Sequence, residues 1–357
     1  PYRRQRQMCI RDSYEHCVKA LTCSMRLGSD GLPLMGDGDW NDGMNRVGSG
    51  GKGQSVWLAW LLLSTIGRFL TPVERRGDRA LKEKLVHFAA QLLKSVEENA
   101  WNGKWYIRAI CDDGTKIGDG GAECAIDGIT QAWAVLSGCA EHDRAVSAME
   151  CARKILTDRQ AGIVKLLWPP IKEHNPYLGY IQEYPKGVRE NGGQYTHGAI
   201  WIAGAEIEMG QKETGYEMLS MMNPVAHTAS YGEMMRYGAE PYVIAADINP
   251  DGAAGWSWYT GAAGWYYRTV LCELLGIKRH GNFITVRPSI PEDWEKASVT
   301  LHCGKEEFFV EIFRSASGEK TVLFDGKRSD GEIPITGKEG KHNVKVICLL
   351  YTSDAAD

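Results

Sequence analysis

Apolar positions recur at helical spacing through the first three quarters of the chain and then switch to alternation. Tyr14 to Leu27 carries Cys17, Val18, Leu21 and Met25 on one face, which predicts a helix. Ser55 to Phe69 predicts a strongly buried helix, and its apolar block Val56 to Leu63 is the longest in the chain. Val73 to Ala100 reads as one long amphipathic helix with Leu81, Leu85, Phe88, Ala89 and Leu92 on a stripe. Further helices are predicted over Ala125–Ser137, Asp143–Thr157, Gly198–Met209, Lys212–Met222 and Ser257–Leu275. Between them lie loops rich in Gly, Asp, Asn and Pro: Gly28–Gly53, Asp158–Thr196 and Asn223–Gly255. Short strands are expected in Trp101–Gly121.

After Gly276 the period becomes two. Phe283–Arg287, Ser298–His302, Phe308–Arg314, Lys320–Phe324 and His342–Val346 predict strands, with hairpin signals at Ser317-Gly318 and Asp325-Gly326. The fold class is therefore mostly α. It reads as an (α/α)6 toroid truncated on its N-terminal side, followed by a small antiparallel β domain. A toroid of six pairs needs about twelve helices, and about eight are legible here. The expected division is 14–278 for the helical part and 279–346 for the β part. Residues 1–13, with RQRQMCIRDS, and 347–357, ICLLYTSDAAD, read as non-native read-through unlike their neighbours.

Composition narrows the classes. The 357 residues include 41 Lys and Arg against 45 Asp and Glu, a net charge of −4, which gives no footprint for nucleic acid. No run of 18 apolar residues predicts a membrane span. Ten cysteines lie without a CxxC spacing, the pattern of free thiols in a reducing compartment. Twelve tryptophans are many for this length. Most should fill a core, and some could stack on sugar rings.

Four clusters could carry chemistry. In Gly36-Asp37-Gly38-Asp39-Trp40-Asn41-Asp42-Gly43-Met44-Asn45, three carboxylates and an indole lie within six residues, between bend-permitting glycines. A calcium loop, a solvated Asx turn and a sugar-cleaving site all fit this spacing. In the last reading, a carboxylic acid beside an indole loses hydration and can donate a proton to a glycosidic oxygen. Arg189-Glu190-Asn191-Gly192-Gly193-Gln194-Tyr195-Thr196-His197 suits recognition of hydroxyls and an anion at a helix start. Its plain alternative is a Thr196 cap and a buried histidine. Ser257-Trp258-Tyr259-Thr260-Gly261-Ala262-Ala263 reads as a phosphate cradle or a capped, closely packed helix start. Trp105-Tyr106-Ile107-Arg108 could present an aromatic ring and a cation. GxxxxGK[ST], GxSxG and HExxH are absent from the sequence.

Seven motifs in order, GLPLMGDGDWNDGMNRVG (31–48), GKGQSVWLAW (51–60), WYIRA (105–109), IDGITQAWAVLSG (126–138), GVRENGGQYTHG (187–198), AEPYVIAAD (239–247) and WSWYTGAAGWYYR (256–268), resemble glycoside hydrolase family 94, the inverting phosphorylases. GKGQSVWLAW and YPKGVRENGGQYTH resemble its β-1,2-glucan branch, which holds C-terminal domains of cyclic β-1,2-glucan synthases and stand-alone 1,2-β-oligoglucan phosphorylases. The resemblance implies phosphorolysis of a β-glucan oligosaccharide to α-glucose 1-phosphate. It makes Asp42 the general acid, Trp40 and Glu190 sugar contacts, and His197, Thr260 and Gly261 the phosphate site. Arg108 and Gln194 are further substrate-binding candidates. No metal and no cofactor is expected, with inorganic phosphate as co-substrate. No nucleic acid or membrane contact of this segment is expected, a homodimer of the complete protein is compatible, and the expected location is cytoplasmic, alone or as the cytoplasmic domain of a membrane-bound synthase. Some family members place a Gln where this chain has Ala246, and other members use upstream arginines that have no counterpart here. Two alternatives remain: an inverting hydrolase with Glu190 as base, its two carboxyls about 6.5–9.5 Å apart, and a non-catalytic glucan-binding or length-control domain.

Overall fold

The computed structural model describes residues 2–258, 261–315 and 321–349. Among these residues it contains nine α-helices and a region of short sheets. The helices are α1 (Tyr2–Ser24), α2 (Val56–Arg76), α3 (Arg79–Asn99), α4 (Gly128–Leu136), α5 (His142–Leu156), α6 (Thr196–Glu208), α7 (Lys212–Met221), α8 (Tyr231–Tyr237) and α9 (Ala262–Thr269). Residues 2–13 form the first half of α1.

The predicted helix over Val73–Ala100 is two helices. Gly77, in a left-handed conformation (φ 70°), closes α2, and Asp78 caps α3 by accepting from Leu81 N. Leu85, Phe88, Leu92 and Val96 form the buried stripe of α3. Helix α2 is long and apolar enough to cross a membrane by length and composition. It packs on α3 and α4, with Val56, Trp57, Trp60, Leu63 and Ile66 in the core. The predicted loop 223–255 contains α8. Ser230 caps it by accepting from Glu233 N, and Gly238 (φ 68°) ends it, a local signal that the loop composition hid. The last predicted helix begins only at Ala262 and finishes in a π-helical turn, Val270–Leu274.

The β part holds eight strands: β1 (Ile277–His280), β2 (Phe283–Val286), β3 (Lys296–Cys303), β4 (Glu306–Ser315), β5 (Thr321–Phe324), β6 (Lys327–Ser329), β7 (Glu332–Pro334) and β8 (Gly340–Leu349). One sheet runs β1-β2-β7 and the other β3-β4-β8-β5-β6. The expectation of a purely antiparallel domain is corrected here. β4 and β8 run parallel, Glu306 opposite Gly340 through Ser315 opposite Leu349, because β5 to β7 intervene as a crossover. Asp325-Gly326 forms its predicted hairpin, both residues at positive φ (47° and 79°), between β5 and β6. Ser317-Gly318 and residues 350–357 lie outside the described residues.

Candidate active site

The loop 36–45 is shaped by its own polar side chains. Gly38 takes φ 133°, which a side chain rarely adopts. Asp39 Oδ1 accepts from Asn41 N at 2.9 Å, and Asn41 Oδ1 accepts from Gly43 N at 3.1 Å, capping a 3-10 turn over Asp42–Met44. Met44 anchors that turn in a small core with Met35, Val47, Leu178 and Ile181. Asp42 is left exposed on the outer side. The loss of hydration expected beside Trp40 is not found, because the indole turns away toward α6.

A second segment presses on this loop. Gly179 (φ 131°) lies so close that a Cβ there would stand 2.4 Å from Asn45 Oδ1. Tyr180 follows, its N–H donating to Asn45 Oδ1 and its hydroxyl bonded to Asp42. Burial, with the Asp42 carboxylate beside it, holds the Tyr180 phenol well above its usual range.

Glu190 faces the same space. It is 3% exposed, with Arg189 Nε at 3.4 Å from its Oε2. Burial raises its pKa, Arg189 lowers it, and the negative charges of Asp42 and Asp247 push it up. Arg189 takes φ 52°, a left-handed conformation, and lies over the rings of Tyr184 and Trp256. Asp247 is 2% exposed and arrives through an antiparallel pairing of Gln194–Tyr195 with Asp247–Ile248. Burial raises its pKa too, and it accepts from Trp256 N. Three carboxyls, from three loops, therefore share one electrostatic neighbourhood with the Arg189 guanidinium.

His197 stands in the first turn of α6. Trp40 Nε1 donates to its Nδ1 at 3.4 Å, and its ring packs on Trp40, Trp201 and Trp265. Burial pushes its pKa down to about 4, so it is neutral at pH 7. With Nδ1 accepting, the proton belongs on Nε2, a buried atom that makes no hydrogen bond among the described residues. Gly261, at the start of α9, lies beside it; a Cβ there would stand 3.5 Å from His197 Cε1. Thr260 lies outside the described residues. The cap expected from Thr196 is corrected: the capping position is Tyr195, without a side-chain bond, and Thr196 N donates to Ala246 O.

Two substrate-contact candidates are closed off. Arg108 is 0% exposed, with Nη1 and Nη2 on Asp39 at 2.7 and 2.6 Å. Gln194 is buried, and its Oε1 accepts from Val164 N. Each serves the chain: the Arg108 fork is committed to Asp39 and the Gln194 Oε1 to the Val164 amide, while Gln194 Nε2 is buried with no hydrogen bond among the described residues. Trp57, Trp60, Trp133 and Trp201 are core and six further tryptophans pack against it, whereas Tyr242, Trp256 and Trp258 stand exposed near Arg189 and Glu240. Sequence reasoning missed Tyr180 and Asp247 as site residues, and it placed Arg189 in the 189–197 cluster without a role of its own. Tyr180 sits in an aperiodic loop, and the strand pairing that brings Asp247 in is two residues long.

Against known proteins, a family model described as the glycosyl hydrolase 94 superfamily, catalytic domain, matches residues 2–276. Cyclic beta-(1,2)-glucan synthase NdvB of Rhizobium meliloti (strain 1021) is 42% identical over 323 residues, 88% of this chain and 11% of its own length. Solabiose phosphorylase of Paenibacillus borealis is 33% identical over 349 residues, 93% of this chain and 44% of its own. The chain thus spans less than half the length of these relatives. Among solved structures, a GH78 family rhamnosidase of Bacillus sp. GL1 shares the fold at TM-score 0.55 and 14% identity, over 94% of this chain and 32% of that one.

Proposed function

The chain belongs to the glycosyl hydrolase 94 superfamily, and from that premise we propose that it carries the catalytic centre for inverting phosphorolysis of a β-1,2-linked glucan. The observation that supports the reading is that Asp42 and Glu190, from separate loops, lie close enough to act on each other electrostatically, with Tyr180 bonded to Asp42 and Arg189 beside Glu190. The higher identity to a cyclic β-1,2-glucan synthase than to a solabiose phosphorylase favours the β-1,2 linkage. The nine described helices are read as part of an (α/α)6 toroid, with 14–278 as its portion and 279–346 as the β domain.

In this reading Asp42 protonates the departing sugar oxygen. Phosphate attacks the anomeric carbon from the opposite face through an oxocarbenium-like transition state, and one inversion turns a β-linkage into α-glucose 1-phosphate. Phosphate is already an anion, so no second carboxylate must activate water. Glu190 binds a glucosyl hydroxyl, and the Arg189 guanidinium offsets the negative charge around it. Neutral His197 donates from Nε2 to phosphate, and Gly261 and Thr260 are assigned to the same anion. Trp40 orients His197 and contacts the sugar. The activity is assigned to the cytoplasm, alone or as a domain of a larger synthase, with glucan and phosphate as its partners.

The test is the protein expressed from its complete reading frame, given β-1,2-glucan with and without phosphate. Release of α-glucose 1-phosphate only with phosphate is the expected result. Release of free glucose without phosphate would refute phosphorolysis and point to a hydrolase with Glu190 as base.

A further inference from the structure

We propose that Arg108 is a positioning residue for Asp42, acting through Asp39 from a buried charge cluster built on two helix caps. Arg108 cannot touch a substrate, because none of it is exposed. Its two terminal nitrogens make a fork onto Asp39: Nη1 to Oδ2 at 2.7 Å and Nη2 to Oδ1 at 2.6 Å. Its Nε stands 3.5 Å from Asp127 Oδ2.

Each partner reaches further. Asp127 caps α4 by accepting from Thr130 N, and Ser55 caps α2 by accepting from Leu58 N. Ser55 Oγ also donates to Asp39 Oδ2 at 2.6 Å. The Arg108 backbone is fixed as well: its N–H donates to Ile117 O, and its carbonyl accepts from Val56 N at the start of α2. The cluster is thus tied to the rigid starts of two core helices.

Its free end is the loop. Asp39 Oδ1, the oxygen held by Arg108 Nη2, also accepts Asn41 N, and Asn41 Oδ1 holds Gly43 N. Asp42 lies between those two amides. The line of bonds from Arg108 through Asp39 and Asn41 fixes the backbone on both sides of the candidate acid. A buried ion pair of this kind is a poor source of stability, since desolvation offsets its attraction. What it supplies is geometry, and a misplacement of about 1 Å can cost about 10²-fold in rate.

This inference rests on the proposed function for its kinetic arm and on the loop alone for its structural arm. Both use the protein from its complete reading frame with Arg108→Met, Arg108→Lys, Asp39→Asn and the milder Ser55→Ala. The kinetic arm compares β-1,2-glucan with a β-glucosyl donor whose leaving group needs no proton, such as 2,4-dinitrophenyl β-glucoside. In Arg108→Met and Asp39→Asn, kcat on glucan should fall about 10²-fold, while KM for phosphate and turnover of the activated donor hold. Arg108→Lys should recover little, because an ammonium cannot make the fork. Equal loss on both donors would overturn the proposal, since a merely structural role lowers both alike.

The structural arm reads amide hydrogen exchange. Faster exchange confined to residues 38–45, with α2 and α4 unchanged, is expected for Arg108→Met and Asp39→Asn, whereas Ser55→Ala should loosen the same loop and, through its lost cap, the first turn of α2. Unchanged exchange in that loop would overturn the proposal. A wild-type protein that phosphorolyses neither donor, with the loop loosening still seen in the variants, refutes the proposed function and leaves the tether standing.

Discussion

Glu206 offers a quantitative test of how this core treats charge. It lies in α6 with its side chain buried, and neither carboxyl oxygen makes a hydrogen bond among the described residues. The nearest cation is Arg153, Nη1 at 3.7 Å from Oε2. Burial pushes the Glu206 carboxyl up from 4.5 to about 7, with Arg153 pulling it down and Glu150 adding to the rise. The native state therefore keeps this proton to higher pH than the unfolded chain does. As pH climbs from 4.5 through 7 the unfolded state loses its proton first, so stability falls, and the whole penalty is present above pH 7. At about 1.36 kcal/mol for each pH unit, that penalty is roughly 3 kcal/mol. Glu206→Gln keeps the shape and removes the charge. Arg153 is partly exposed and can turn to water, so the net gain at pH 8 should be about 1–3 kcal/mol. At pH 4.5 the gain should vanish. Urea denaturation of both proteins at the two pH values measures it. A variant less stable than wild type at pH 8, or one whose difference does not change with pH, would refute the reasoning.

Asp42→Asn should lower phosphorolysis by about 10²–10⁴-fold with its fold intact; near-normal turnover would remove Asp42 from the acid's role. His197→Ala should raise KM for phosphate more than KM for glucan, and an unchanged phosphate KM would take His197 out of the anion site. Because burial holds His197 down to about 4, while an unfolded histidine titrates near about 6.5, its contribution to stability should be lost as pH falls between those values and be complete above them. Thermal melts of wild type and His197→Ala across that window would show it, and a constant difference would contradict it. Gly215→Ala should destabilise the chain by about 1–3 kcal/mol, because a Cβ there would stand 2.4 Å from Ile207 Cγ1 and 2.8 Å from Ala203 O on α6; a neutral melt would show that α6 and α7 can part.

Most of the elements and the candidate acid's loop were legible in local pattern. Period 3.6 in Leu85, Phe88 and Leu92 and period two in β3 and β4 are local properties, and a chain must bury such faces whatever surrounds them. The Gly-Asp-Trp-Asn-Asp run also folds by local bonds, Asp39 to Asn41 and Asn41 to Gly43, so it was legible as a turn presenting a carboxylate. Tertiary structure alone decided what those side chains do. Arg108 reads in sequence as a surface cation on a hairpin. Burial beside Asp39 and Asp127, 69 and 19 residues away, turns it into an internal tether. Asp247 and Tyr180 join Glu190 and Asp42 only because loops distant in sequence meet, and Trp40 finds His197 across 157 residues. The parallel register of β4 and β8 depends likewise on a crossover that no local pattern encodes. Spacing along a chain fixes which face a side chain shares with its neighbours. Only packing fixes whether water, a charge or a substrate stands opposite that face.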